Sequence, residues 1–247
     1  MVVKALTERQ LFGVKRENLE KRIAQYYLET QDSETVLEYG MAVLIFNGIT
    51  MDNYSFVCKD LMKEIFLTCE PTEKMRDYCL YFYDFFEYSE WEQVRDRLFS
   101  SRAAFSERTR EIRPETVHFR AATAPTNRRK DWLYENYVKD EGETRAEKER
   151  YYYAYEAVFR DENGRKNVQK FRNADVGMSS ERYFALLNVL TRLTIFKKKG
   201  VRRFYELEFR ECRSLAGYRF YADKEDDAAF MKRRRELAKK EWAEAPQ

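Results

Sequence analysis

Apolar residues recur every three or four positions through the first hundred residues, the period of one face of an α-helix. Leu19, Ile23, Tyr26 and Tyr27 form such a stripe in a first helix expected over 7–29. Asp32 or Ser33 can open a second, because a short oxygen-bearing side chain accepts from the free amides of a first turn. Its apolar body is 36–46 and Gly48 ends it. A third helix is predicted from Thr50 or Asp52, aligning Tyr54, Val57, Leu61, Ile65 and Phe66, until Pro71 breaks it. A fourth begins near Thr72, carries Met75, Tyr78, Cys79, Phe82, Phe85 and Phe86, and continues past Trp91 to Leu98.

Short connections between such helices make neighbours antiparallel, so residues 1–100 are expected to form a helical bundle. A pitch of about 35 to 40 residues per helix pair also fits a helical-repeat array. The two pairs share nothing beyond apolar spacing, which favours the bundle.

The pattern breaks over 101–149. Pro114 and Pro125 push the residues before them out of the helical region, and 113–127 carry no helical period. An extended arm or linker is expected here, with a short helix near 129–138 and a charged stretch over 139–150. Long structureless segments are uncommon inside a compact domain, so a domain boundary is placed in it.

From Tyr151 the period changes to two. Tyr151, Tyr153, Tyr155, Ala157 and Phe159 share one side of a strand that alternates with Glu156 and Arg160. Asn163-Gly164 then supplies a hairpin turn, and 166–171 return. A long helix is predicted from Ser179 or Ser180 to Lys199, with Tyr183, Leu186, Leu187, Leu190 and Leu193 inward and Gly200 as its stop. Strands over 201–210 and 217–222 follow. Asp223 opens a last helix, with Glu225 and Asp226 in the first turn where the helix dipole favours acids. The order β-β-α-β-β-α predicts an antiparallel α+β domain over 150–247. The fold class is mostly α with an α+β C-terminal half.

Composition narrows the class. Glycine and proline make 12 of 247 residues, about 5% against roughly 12% in ordinary proteins, which disfavours a turn-rich sandwich or barrel. An aromatic share of 16% argues against disorder as the main state, although 36% of residues are charged. The formal net charge of +3 conceals an asymmetry. Residues 1–100 carry 12 basic and 18 acidic side chains, and the remainder 34 and 25. A basic half of this kind is expected to face something acidic.

No apolar run approaches the roughly 18 residues of a membrane span. Residues 1–27 interleave cations with Glu8, Glu17 and Glu20, unlike a secretory signal or a transit peptide. Cys58, Cys69, Cys79 and Cys212 show no CxxC spacing, and three of them fall on helical core stripes. Free thiols in a reducing, intracellular compartment are expected, compatible with mitochondrial import without a cleaved presequence.

One histidine, His118, excludes a His-dependent triad or a multi-histidine metal site within this chain. No GxGxxG, GxxxxGK[ST] or HExxH motif occurs. The chain is therefore expected to be non-catalytic, with neither cofactor nor metal.

Two basic clusters remain. Lys197, Lys198, Lys199, Arg202 and Arg203 surround Gly200. In one reading the lysines form the last turn of a helix and neutralise its free carbonyls. In the other, 174–180 form the tight turn before a recognition helix that exposes Arg182 and Asn188, and the hairpin beyond 197–203 is a wing. The Ala-to-Gly spacing is one residue shorter than a standard helix-turn-helix requires, and the preceding segment reads as a strand. The second cluster is Lys232, Arg233, Arg234, Arg235, Lys239 and Lys240, six cations on the last expected helix. It suits nucleic-acid phosphates, an acidic protein surface or an anionic lipid surface, or it is solvated and pairs with Glu236 and Glu241. Tyr151, Tyr153, Tyr155, Tyr205, Tyr218, Phe220 and Tyr221 fit sheet packing or a platform for stacking bases.

Rich in Tyr, Phe, Arg and Glu and without motifs, the chain resembles in composition the accessory subunits of mitochondrial complexes or ribosomes. The leading expectation is a non-catalytic structural or interaction subunit of a larger assembly. Its arm and basic C-terminal half would dock on other protein subunits. The alternatives are a nucleic-acid-binding protein with a winged-helix-like C-terminal domain, and a regulator or inhibitor that binds one protein target.

Overall fold

The computed structural model describes residues 5–13, 16–50, 57–112, 151–172, 174–175 and 178–218. Helices α1 (Glu8–Gly13), α2 (Arg16–Thr30), α3 (Ser33–Ile49), α4 (Lys59–Thr68), α5 (Glu73–Tyr78), α6 (Tyr88–Leu98) and α7 (Arg102–Thr109) precede strands β1 (Tyr151–Arg160) and β2 (Lys166–Arg172). Helix α8 (Ser180–Leu190) follows, then β3 (Lys197–Lys198), β4 (Val201–Arg202), β5 (Glu206–Leu207) and β6 (Arg213–Tyr218). The architecture is mostly helical with a C-terminal part of antiparallel strands, an α+β arrangement.

Helix α3 is the axis of the molecule. Asp32 caps it by accepting from the Thr35 amide at 3.0 Å. Every residue from Val36 to Phe46 is buried, and a helix apolar on all sides must be wrapped on all sides. Helices α1, α2, α4, α5 and α8 surround it. Gly40 makes the closest approach: a Cβ there would lie 2.9 Å from Met62 Cε and 3.0 Å from Phe82 Cζ.

The expected first helix is described as α1 and α2, and residues 14–15 between them lie outside the described residues. The expected fourth helix is also divided. Thr72 caps α5 by accepting from the Met75 amide, but the chain then tightens into a 3-10 helix over Cys79–Phe85. With three residues per turn, Cys79, Phe82 and Phe85 fall in one row, and all three are buried. Helix α6 restarts after a reciprocal cap between Glu87 and Glu90. The first residues of the expected arm are helical: Ser101 caps α7, and Phe105 packs its ring 5.3 Å from Phe99 and 6.0 Å from Trp91. The rest of that arm, with its expected helix near 129–138, lies outside the described residues.

The expected β1–β2 hairpin forms, paired from Ala154 opposite Arg172 to Arg160 opposite Lys166. Asp161 builds its turn by accepting from the amides of Asn163 and Arg165, each at 2.9 Å, while Gly164 takes φ +75. Strand β1 is central. Its other edge pairs with β6 along its first half and with β5 at its end, the two joined by a 3-10 turn over Phe209–Glu211. The strand expected over 201–210 is thus broken into β4 and β5, and the next begins at Arg213 rather than Gly217. The final expected helix lies outside the described residues.

Residues of both halves enter one buried cluster. A chain of rings crosses it: Phe171 lies 5.7 Å from Phe46, Phe46 4.7 Å from Phe12, Phe12 5.5 Å from Phe196, and Phe196 5.0 Å from Phe204. Beyond β2, Ala174 bridges to Thr50, and the Asp175 amide donates to the Ile49 carbonyl at 2.9 Å.

Candidate functional site

The polar centre of the structure is Glu38, fully buried on α3. Its Oε2 accepts from the Thr194 amide at 2.6 Å and the Ile195 amide at 2.9 Å. Its Oε1 accepts from the Thr194 hydroxyl at 2.9 Å and from Lys74 Nζ at 2.8 Å. Burying a carboxylate is costly unless its lone pairs are met, and here four donors meet them. The consequence is geometric. The segment after α8 is turned away from the helix axis and fastened to α3.

That fastening corrects one reading of the first basic cluster. The helix expected to reach Lys199 ends at Leu190, so Lys197–Lys199 are not its last turn and do not cap its carbonyls. The Glu38 carboxylate takes the Thr194 and Ile195 amides that a continuing helix would have used. The chain instead makes a two-stranded ribbon, with Lys197 opposite Arg202 and Lys198 opposite Val201. Lys199 (φ 54) and Gly200 (φ 82) both occupy the left-handed region, the signature of a two-residue type I′ turn.

The five candidate cations divide into two roles. Arg202 Nη2 donates to the Thr191 carbonyl at 2.6 Å, and its guanidinium lies 5.4 Å from the centre of the Tyr205 ring. The Arg202 backbone is zipped to the β1–β2 turn, its amide donating to Glu162 Oε2 at 3.0 Å and its carbonyl accepting from the Glu162 amide at 3.2 Å. Arg203 forms an ion pair with Glu8 on α1 and sits 5.4 Å from the Phe204 ring centre. Phe196 and Phe204 are buried at the root of the ribbon, where the Arg203 amide donates to the Phe196 carbonyl at 2.8 Å. Lys197, Lys198 and Lys199 point outward and are exposed. Among the described residues they form no ion pair. Two arginines fasten the ribbon and three lysines face solvent.

The chain matches no protein-family model, no curated protein and no solved structure.

Four other cations of the sheet are engaged close to home. Glu156 on β1 takes Arg213 at 2.8 Å and Lys170 at 3.9 Å from the strands on either side, Arg160 pairs with Glu208, and Lys166 pairs with Glu211. A groove of about 1000 Å³ between α5 and α7 contains Arg108, held by Asp77 at 2.5 Å and Glu73 at 3.0 Å. The six cations of the second cluster, Lys232, Arg233, Arg234, Arg235, Lys239 and Lys240, lie outside the described residues.

Helix α8 offers little of a recognition face. Tyr183, Ala185, Leu186, Leu187, Val189 and Leu190 are buried, with the Tyr183 ring stacked 4.0 Å from Tyr155. Asn188 is exposed and Arg182 half-buried. Of the tyrosines considered as a platform, Tyr155 is packed and Tyr205 is 53% exposed.

The four cysteines are free. Burial, with the Glu20 charge adding to it, pushes the Cys58 thiol up to about 12. Burial, with the Asp77 charge adding to it, does the same to Cys79, and burial with the Glu211 and Glu208 charges raises Cys212 as well. Tyr27 is pushed up to about 12 first by its hydrogen bond with Cys69, whose Sγ lies 3.2 Å from the hydroxyl, and then by burial. These environments disfavour the thiolate that nucleophilic or redox chemistry uses. Among the described residues no group of three His, Cys, Asp or Glu side chains is arranged to hold a metal, and no helix is long and apolar enough to cross a membrane.

Sequence reasoning found the lysines and missed Glu38, Glu8 and Glu162, which build their support. The signal for Glu38 was present. It is the lone charge in the apolar run 35–46, and a charge on a helix buried on every side must be paired.

Proposed function

We propose that the protein is a non-catalytic interaction subunit of a larger assembly, and that it docks on a polyanionic surface through Lys197, Lys198 and Lys199. The observation that carries this reading is the division of labour in the ribbon. Arg202, Arg203, Glu38 and Glu162 hold it in one geometry, and three adjacent lysines are left for a partner. A docking element fixed before binding loses less conformational entropy on association. Exposed cations that form no ion pair among the described residues also steer a polyanion toward the site. Raised thiols and locally paired cations elsewhere support the non-catalytic part. An accessory subunit of an organellar complex or a ribosome is the kind of role that fits.

The test is size fractionation of native extract containing the tagged full chain. The wild type should elute in a high-mass complex that about 0.5 M salt disperses, since surface charges are screened over a few ångströms there. The K197E/K198E/K199E variant should elute at monomer mass with an unchanged melting temperature. Co-elution of that variant with the complex would overturn the assignment.

A further inference from the structure

We infer that the polyanion is a single-stranded nucleic acid, its phosphates on Lys197, Lys198 and Lys199 and one unpaired base on Tyr205; this rests on the reading above that the ribbon takes a polyanion. The exposed cations are all lysines, and both arginines are folded back onto the protein. Lysine is depleted at protein–protein interfaces, whereas arginine and aromatic residues are enriched. A lysine ammonium is a hydrated point charge that suits phosphates and makes no bidentate fork with a carboxylate. Lys197 and Lys198 are successive on a strand and so leave opposite faces of the ribbon, with Lys199 at the turn. Such a tip presents charge around itself, which suits a flexible strand that can wrap it.

Tyr205 supplies the second half of the site. It lies three residues beyond β4, the residue is 53% exposed, and the Arg202 guanidinium stands over its ring, 5.4 Å from the centre. An exposed tyrosine held by a cation, six residues after Lys199 at the ribbon's turn, offers stacking and phosphate neutralisation within one short segment. Stacking on it requires a base with a free face, which a duplex does not provide. An acidic protein surface would use the lysines and gain nothing specific from that ring.

The experiment is fluorescence anisotropy of the full chain with a labelled oligouridine of about 12 nucleotides, from about 50 to about 300 mM KCl. The wild type should bind with a steep salt slope. K197Q/K198Q/K199Q should reduce that slope by about 2, from three phosphates at roughly 0.7 each on a single strand. The second basic cluster is intact in every variant, so the difference reports the ribbon alone. Y205A should weaken binding about 5- to 150-fold with the slope unchanged, and Y205F should bind like the wild type. Equal affinity for a duplex, with Y205A silent, would overturn the inference and leave non-specific phosphate attraction. Lysine-dependent binding of a labelled polyglutamate that oligouridine does not displace would also overturn it, while the ribbon kept its role as a docking surface. An oligouridine slope unchanged by the triple variant, together with its co-elution in the high-mass complex, would remove both readings.

Discussion

The carboxylate of Glu38 and the backbone amide of Thr194 meet at 2.6 Å across 156 residues of chain. That contact fastens to α3 the segment that leads from α8 into the lysine ribbon. Glu38→Ala leaves two amides and a hydroxyl without their acceptor, and leaves the Lys74 ammonium with Glu34 Oε2 at 3.6 Å. Removing one partner of a buried charged network costs about 3–5 kcal/mol. Urea denaturation should show a loss in that range, and hydrogen exchange at Thr194 and Ile195 should accelerate. Glu38→Gln, which keeps the shape and two acceptor lone pairs, should lose less.

Asp32 makes the N-terminus of α3 sensitive to acid. Burial alone would raise its carboxyl, but the hydroxyl and amide of Thr35 outweigh burial and, with the Tyr26 hydroxyl and the Lys74 charge, hold it below the usual carboxylate range. A depressed folded value means that the contribution is complete above the unfolded pKa, about 3.9, and is lost as the pH falls through the folded one. Asp32→Ala should cost about 0.5–2 kcal/mol at pH 7. Denaturation of both proteins from neutral to acid pH should show the gap closing below about pH 4.

Gly40 is a packing requirement rather than a turn. Gly40→Val would place methyl groups where Met62 Cε and Phe82 Cζ already stand. Overpacking of this kind costs about 1–3 kcal/mol. The melting temperature should fall, and adding Met62→Ala should recover part of the loss, because the space vacated lies where the new side chain points.

Cys58 and Cys79 should be silent toward Ellman's reagent in the native protein near pH 8. With both thiols pushed up to about 12, their thiolate fraction is about a thousandfold below that of an ordinary cysteine. Full reactivity should return in urea. The sign for stability follows from a folded pKa raised above the unfolded one. Their contribution is complete below the ordinary thiol value and is lost as the pH rises toward about 12. Fast native labelling of either residue would contradict these environments.

Lys199 holds a left-handed conformation that costs a side-chain-bearing residue about 1–2 kcal/mol. Lys199→Asn, a residue that tolerates this region, should raise stability by a few tenths to about 1 kcal/mol. The same change removes one of three exposed cations, so thermal melts and oligonucleotide affinity should move in opposite directions.

Elements whose signals are local are legible in the order of residues alone. The stripe Leu19, Ile23, Tyr26 and Tyr27, the caps at Asp32, Thr72 and Ser179, and the alternation from Tyr155 to Phe159 require only neighbours within a turn or a strand. Hydrophobic period and side-chain capping act at that range. The lysine cluster was visible for the same reason, because charge is written residue by residue. What those residues do together is set by contacts between distant parts of the chain. Whether Lys197–Lys199 end a helix or tip a ribbon depends on Glu38, and whether Arg202 and Arg203 are available depends on Thr191, Glu162 and Glu8. A buried carboxylate must find donors wherever the fold supplies them, and that demand overrides the helical propensity of 191–199. The local pattern supplies candidates for each element; the cost of leaving a buried charge unmet selects among them.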